Sequence, residues 1–97
     1  MLRITVIAEA PARVVMTLEG TIDAEGAALL ESECAALLAT GASIALDFRA
    51  VRFVDRAGTE ALGRLWRAGV SIRCPGGVLA SVLESAGIGI HQVFRDE

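Results

Sequence analysis

The chain has no lysine: all nine of its basic residues are arginine, and there is a single histidine. No lysine is therefore available to neutralise a phosphoryl group on an aspartate, and His91, near the C-terminal end, is expected to be an exposed tail residue and not a general base. The two cysteines, Cys34 and Cys74, lie far apart, match no metal-ligand spacing and sit among apolar neighbours, so both are expected to be reduced, buried small hydrophobes. The glycines of Gly76-Gly77 and Gly87-Ile88-Gly89 match no phosphate-loop spacing. No apolar run reaches the roughly 18 residues of a membrane span, and Met1 to Ala10 lacks the basic start and long apolar stretch of a signal peptide. A cytoplasmic protein without direct membrane insertion is the expectation. The arginines are scattered between acids with no basic block and no interleaved aromatic ladder, which argues against nucleic acid as a partner. No metal, cofactor or catalytic residue is expected.

What is present is apolar: 54% of the 97 residues are hydrophobic and mean hydropathy is +0.56, ample for one domain, 1–97, with its own core. Arg3 to Ala8 alternates, with Ile4, Val6 and Ala8 on one side, and a second β-rich run, Arg13 to Glu19, follows Ala10-Pro11-Ala12; together they predict a hairpin. After Gly20 the period changes. Ala27, Leu30, Cys34, Leu37 and Leu38 form a helical stripe, with Asp23 as N-cap and Gly41 beyond its end, predicting a helix over 24–39. Ser43 to Phe48 predicts a central strand covered on both faces, and Val51, Phe53 and Val54 apolar anchors in the loop after it. Asp55 to Gly58 opens a second helix with a core stripe of Ala57, Ala61, Leu62, Leu65 and Ala68, ended by Gly69. Val70 to Cys74 predicts a strand. A short helix follows with Leu79, Val82, Leu83 and Ala86 inward, and Ile88 to Phe94 predicts a short extended or helical tail. Two consecutive strand-helix-strand crossovers after a hairpin predict an α/β fold: a mixed four- to five-stranded sheet with an N-terminal hairpin and helices packed on it.

The segment from Ile44 to Leu62 resembles the central signature of STAS domains, a buried strand ending in Asp and an apolar residue, leading through a small-residue loop into a hydrophobic-Asp-Ser-Ser/Thr-Gly turn and a helix. Leu18-Glu19-Gly20-Thr21-Ile22-Asp23 resembles the same family's Gly-x-Leu-Asp approach to its first helix, and Val82 to Ile88 its Val-Leu-x-x-x-Gly-Leu ending. The resemblance runs from about Ile4 to Phe94, and implies an anti-sigma factor antagonist-like protein-binding module. In antagonists of the sporulation and stress type, a Ser in this turn is phosphorylated by the anti-sigma factor kinase, which stops binding. Small STAS chains also resemble the accessory subunit that binds the ATPase of an ABC-type lipid transporter. The sequence leaves open which partner applies, and the oligomeric state, a dimer included.

A helix start carries free amides and partial positive charge, so Asp55 is both cap and fixed negative group, while Gly58 allows close backbone approach. The two positions where the family's hydroxyl stands are Arg56 and Ala57, and neither accepts a phosphoryl group. Thr59 is the nearest hydroxyl, inside the first helical turn. Arg56 admits two readings, a constitutive contact whose fork reaches a partner's carboxylate or phosphate, or a solvated side chain paired with Glu60. Glu60 with Arg64 makes a second expected pair, and Arg56, Glu60, Arg64 and Arg67 an outer helix face. The resemblance implies that Asp23, Asp55, Arg56, Ala57, Gly58, Thr59 and Glu60 share the partner-binding surface. Trp66 is read as core-edge packing in preference to an exposed anchor. Asp47 with Asp23 and Asp55 would make a cluster of acids near strand ends.

Overall fold

The computed structural model describes residues 1–92. The alternating N-terminal runs form the hairpin β1 (Leu2–Ala10) and β2 (Arg13–Ile22), antiparallel, with Ile4 opposite Leu18 and Val6 opposite Met16. Helix α1 (Ala24–Leu38) then crosses over to β3 (Ser43–Val54), helix α2 (Arg56–Arg67) to β4 (Ser71–Arg73), and helix α3 (Val78–Ser85) follows. The sheet order is β1-β2-β3-β4, with β2, β3 and β4 mutually parallel. Beyond α3 the chain is extended: His91 accepts from Cys74 N at 2.9 Å, donates to Ile72 O at 2.8 Å, and so adds a single bridge to β4. Val93 and Phe94 of the expected tail lie outside the described residues.

Residues paired across strands share a face. Met16, Leu46 and Ile72 therefore line one row, and all three belong to a core that also holds Ala27, Leu30 and Cys34 of α1, Ala61, Leu62 and Leu65 of α2, and Ala80 and Leu83 of α3. All three helices thus lie on one face, as right-handed crossovers in a monotonic strand order require for α1 and α2. The opposite row, Ile7, Val15, Ala45 and Ser71, stands outside that core. Helices cover the central strand on one face only, yet Ile44 to Phe48 are buried on both faces as expected, Ala45 and Asp47 on the helix-free side included.

The remaining differences from the sequence reading have local causes. Val51, Phe53 and Val54 are strand, not loop, and pair with Gly20, Thr21 and Ile22. Two bulges in β3 hide this, because each inserted residue breaks the two-residue alternation. Val6 and Ala8 are exposed because β1 is an edge strand and α1 packs over β2 and β3. Ala68 is exposed at the end of α2. In α3 the inward residues are Ala80 and Leu83, with Leu79 half-buried, while Val82 and Ala86 face out. That helix is apolar on most sides, so periodicity does not select a face. At the end of α1, Gly41 adopts φ +85° and its N–H donates to Leu38 O at 3.0 Å, the left-handed stop that glycine supplies.

Candidate functional site

The parallel strands β2 and β3 end side by side, and each runs into an aspartate that caps the next helix. Asp23 and Asp55 both hold extended backbone, and the Oδ1 of each accepts a hydrogen bond at 2.8 Å from an amide three residues on, Gly26 and Gly58 respectively. Each carboxylate thus satisfies one of the orphan donors of its helix and sits at the positive end of the helix dipole.

The two turns are joined through Ile22. Its carbonyl accepts from Asp55 N at 3.1 Å. Gly58 lies directly on the same carbonyl: a Cβ there would stand 2.3 Å from Ile22 O and 2.8 Å from Val54 Cγ1. Only a residue without a side chain lets α2 start this close to the end of β2.

Between the caps, Arg56 projects into solvent, with its Nε 3.5 Å from Glu60 Oε2, and Ala57 is half-buried. Thr59 turns its hydroxyl inward onto its own helix, donating to Asp55 O at 3.0 Å. The expected pair of Glu60 with Arg64 is not formed. Arg64 instead makes two 2.9 Å hydrogen bonds to the carboxylate of Glu31 on α1, fork to fork. This tie holds the first two helices together beside the turns and keeps the Glu31 carboxyl below its ordinary range, chiefly through the hydrogen bonds from Arg64. Nothing in the sequence announced it, since the partners are 33 positions apart. The outer face of α2 carries Arg56, Glu60, Arg64 and Arg67 as expected, all exposed.

Asp47 does not join Asp23 and Asp55. It lies within β3, opposite Thr17 and Arg73, and is 5% exposed; its carboxylate accepts from Arg49 N and Arg49 Nη2, each at 3.0 Å. Among the described residues no group of three His, Cys, Asp or Glu is placed to share a metal ion. The His91 side chain is exposed. Trp66 is 40% exposed, with its indole lying against Gly89, an edge contact and not a core position. Both cysteines are free and buried; desolvation pushes the Cys34 thiol up to about 11 and raises that of Cys74.

A mixed sheet with helices on one face and two coupled, aspartate-capped strand-to-helix turns defines an α/β protein whose distinctive feature is a pair of joined loops. A family model described as Mlab, STAS domain matches residues 5–93, and the chain belongs to the STAS family. No curated protein matches it. Among solved structures it is similar to an anti-sigma factor antagonist from Mycobacterium paratuberculosis, with TM-score 0.80 and 18% identity over 96% of this chain and 87% of the other. It is also similar to the anti-sigma factor antagonist SpoIIAA in its unphosphorylated form, with TM-score 0.71 and 20% identity over 97% and 90% of the two chains. The phosphorylated form of SpoIIAA from Bacillus matches with TM-score 0.67 and 21% identity, covering 89% and 85%. The fold is therefore the STAS fold of the anti-sigma factor antagonists. Among the described residues no helix is long and apolar enough to cross a membrane.

Proposed function

We propose that the chain is a non-catalytic regulatory module that binds an anti-sigma factor kinase through Asp23, Asp55, Arg56, Ala57, Gly58, Thr59 and Glu60, and that this binding is not switched by phosphorylation. One observation carries the reading. The two turns form a single surface joined at Ile22, and the positions between Asp55 and Gly58 hold an exposed guanidinium and a methyl group. The nearest hydroxyl, on Thr59, is spent on its own helix. A phosphate at this helix start would be stabilised by the free amides and would repel a partner docked there; without an acceptor, Arg56 offers a permanent charge for a partner carboxylate.

The test uses the partner recovered by pull-down from the native host. Incubated with that kinase and ATP, the natural chain is expected to take up no phosphate and to stay bound. The variant Ala57→Ser is expected to be phosphorylated and released. Phosphate found on Thr59 of the natural chain would overturn the unswitched reading.

A second reading keeps the surface and changes the partner. A turn with no phosphate acceptor suits a permanent subunit equally, and the chain would then engage the ATPase of an ABC-type lipid transporter. Recovery of an ATPase with its permease, in place of a kinase, decides for this alternative.

A further inference from the structure

On the helix-free face of the sheet, at the end where β1 begins and β2 finishes, lies a cleft of about 590 Å³ lined by Arg3, Arg49 and Arg52 together with Glu19 and Gly20. Arg3 lies far in sequence from Arg49 and Arg52, which share β3. The fold gathers them in a chain whose net charge is −3. We infer that this cleft is a binding site for a phosphate group, distinct from the turn surface and independent of the function proposed for it.

The placement comes from the strand irregularities. Between the pairs Thr17 with Asp47 and Glu19 with Ala50, β3 sets Phe48 and Arg49 against Leu18 alone; between Gly20 with Val51 and Thr21 with Phe53, it inserts Arg52 against nothing. Bulges re-aim side chains, and both of these place an arginine on the cleft. Arg3 reaches it from the adjoining strand through the pairing of Arg3 with Glu19. Asp47, buried beneath, grips Arg49 through both its backbone N–H and its Nη2, which fixes the position of that side chain before any ligand arrives. Arg3 and Arg52 have no ion-pair partner among the described residues. Arg3 and Arg52 on the lining bring two guanidinium groups suited to the oxygens of a phosphate, beside an Arg49 held by Asp47, and a volume within the ~300–1,000 Å³ of small-ligand sites admits the group with its substituent. Glu19 on the rim disfavours a fully charged polyphosphate and suits a single phosphate group.

The experiment is an amide-resolved NMR titration of the whole chain at low ionic strength with inorganic phosphate, set against chloride at equal ionic strength. A parallel arm measures sedimentation with phosphatidylcholine vesicles, with and without phosphatidic acid. Saturable shifts at Glu19, Gly20, Ala50 and Val51 are expected, and the variant Arg3→Gln/Arg52→Gln should weaken binding about tenfold or more with an unchanged circular dichroism spectrum. Binding to inorganic phosphate identifies a free phosphate as sufficient; binding only to phosphatidic acid vesicles, lost in the same variant, identifies a lipid headgroup. The inference is overturned by no response in either arm, by shifts confined to Gly26 and Gly58 at the helix starts, or by equal binding in the double variant.

Discussion

Replacing Gly58 by alanine tests the junction of the two turns directly. A Cβ at this position would lie 2.3 Å from the carbonyl oxygen of Ile22, 2.8 Å from Val54 Cγ1 and 3.0 Å from Ile22 Cγ2. The first of these is backbone, so relief requires α2 to move off the end of β2. Overpacking of this kind costs about 1–3 kcal/mol. The shift also stretches the Asp55 N to Ile22 O bond, whose loss is worth about 1 kcal/mol. Against this, alanine gains about 1 kcal/mol over glycine in a helix interior. The net expectation is a loss of about 1–3 kcal/mol, or a Tm lower by roughly 5–20 °C. Gly63 on the same helix supplies the control. Its Cβ would meet only the tip of the Arg67 guanidinium at 3.4 Å, so Gly63→Ala should keep the helix gain and stabilise by up to about 1 kcal/mol. Urea unfolding followed by circular dichroism at 222 nm measures both. Equal midpoints for the two variants would refute the account of Gly58 as the contact that seats α2.

Asp55→Ala removes a cap and should cost about 1 kcal/mol by urea unfolding, and Asp23→Ala the same, in addition to any loss of partner binding. Cys34 and Cys74 should resist iodoacetamide at pH 8 in the native protein and react in urea, as read by mass spectrometry; rapid native labelling would contradict their burial. The Cys34 thiol, at about 11 in the fold against 9.0 as its ordinary value, keeps its proton longer when folded, so stability should fall as pH rises from about 9 to about 11. Cys34→Ala should flatten that decline. Glu31 works in the opposite sense: its lowered folded pKa makes the Arg64 tie stabilising above the ordinary value of 4.5 and lost as pH falls through the folded value. Glu31→Gln should therefore destabilise slightly at pH 7, with an effect that shrinks as pH falls below 4.5.

The helical stripe Ala27, Leu30 and Cys34 and the capping aspartates were legible in the sequence because each depends on neighbours within a few residues. The inward face of α3 was not, since Val78, Leu79, Val82 and Leu83 are apolar whichever way the helix turns. Nor was the second half of β3, where the inserted residues around Arg49 and at Arg52 erase the alternation that marks a strand. Of the site, the order Asp23 then Asp55 to Gly58 could be read directly, and the family resemblance assembled it. The Ile22 carbonyl that joins the turns could not, because a backbone acceptor leaves no mark in the sequence. The Glu31 and Arg64 pair and the approach of Arg3 to Arg49 and Arg52 escaped for a related reason: both are products of the folded topology, joining residues that are remote along the chain.

The shared carbonyl of Ile22 has a consequence for exchanging parts between relatives. A loop grafted from another STAS chain at the end of β3 arrives with a helix start shaped to its own β2 terminus, not to this one. The first turn alone, transplanted, meets the same mismatch from the other side. Chimeras that carry both turns with Ile22 and Gly58 as one block should fold and transfer partner choice, while single-loop exchanges should lose stability before they change specificity.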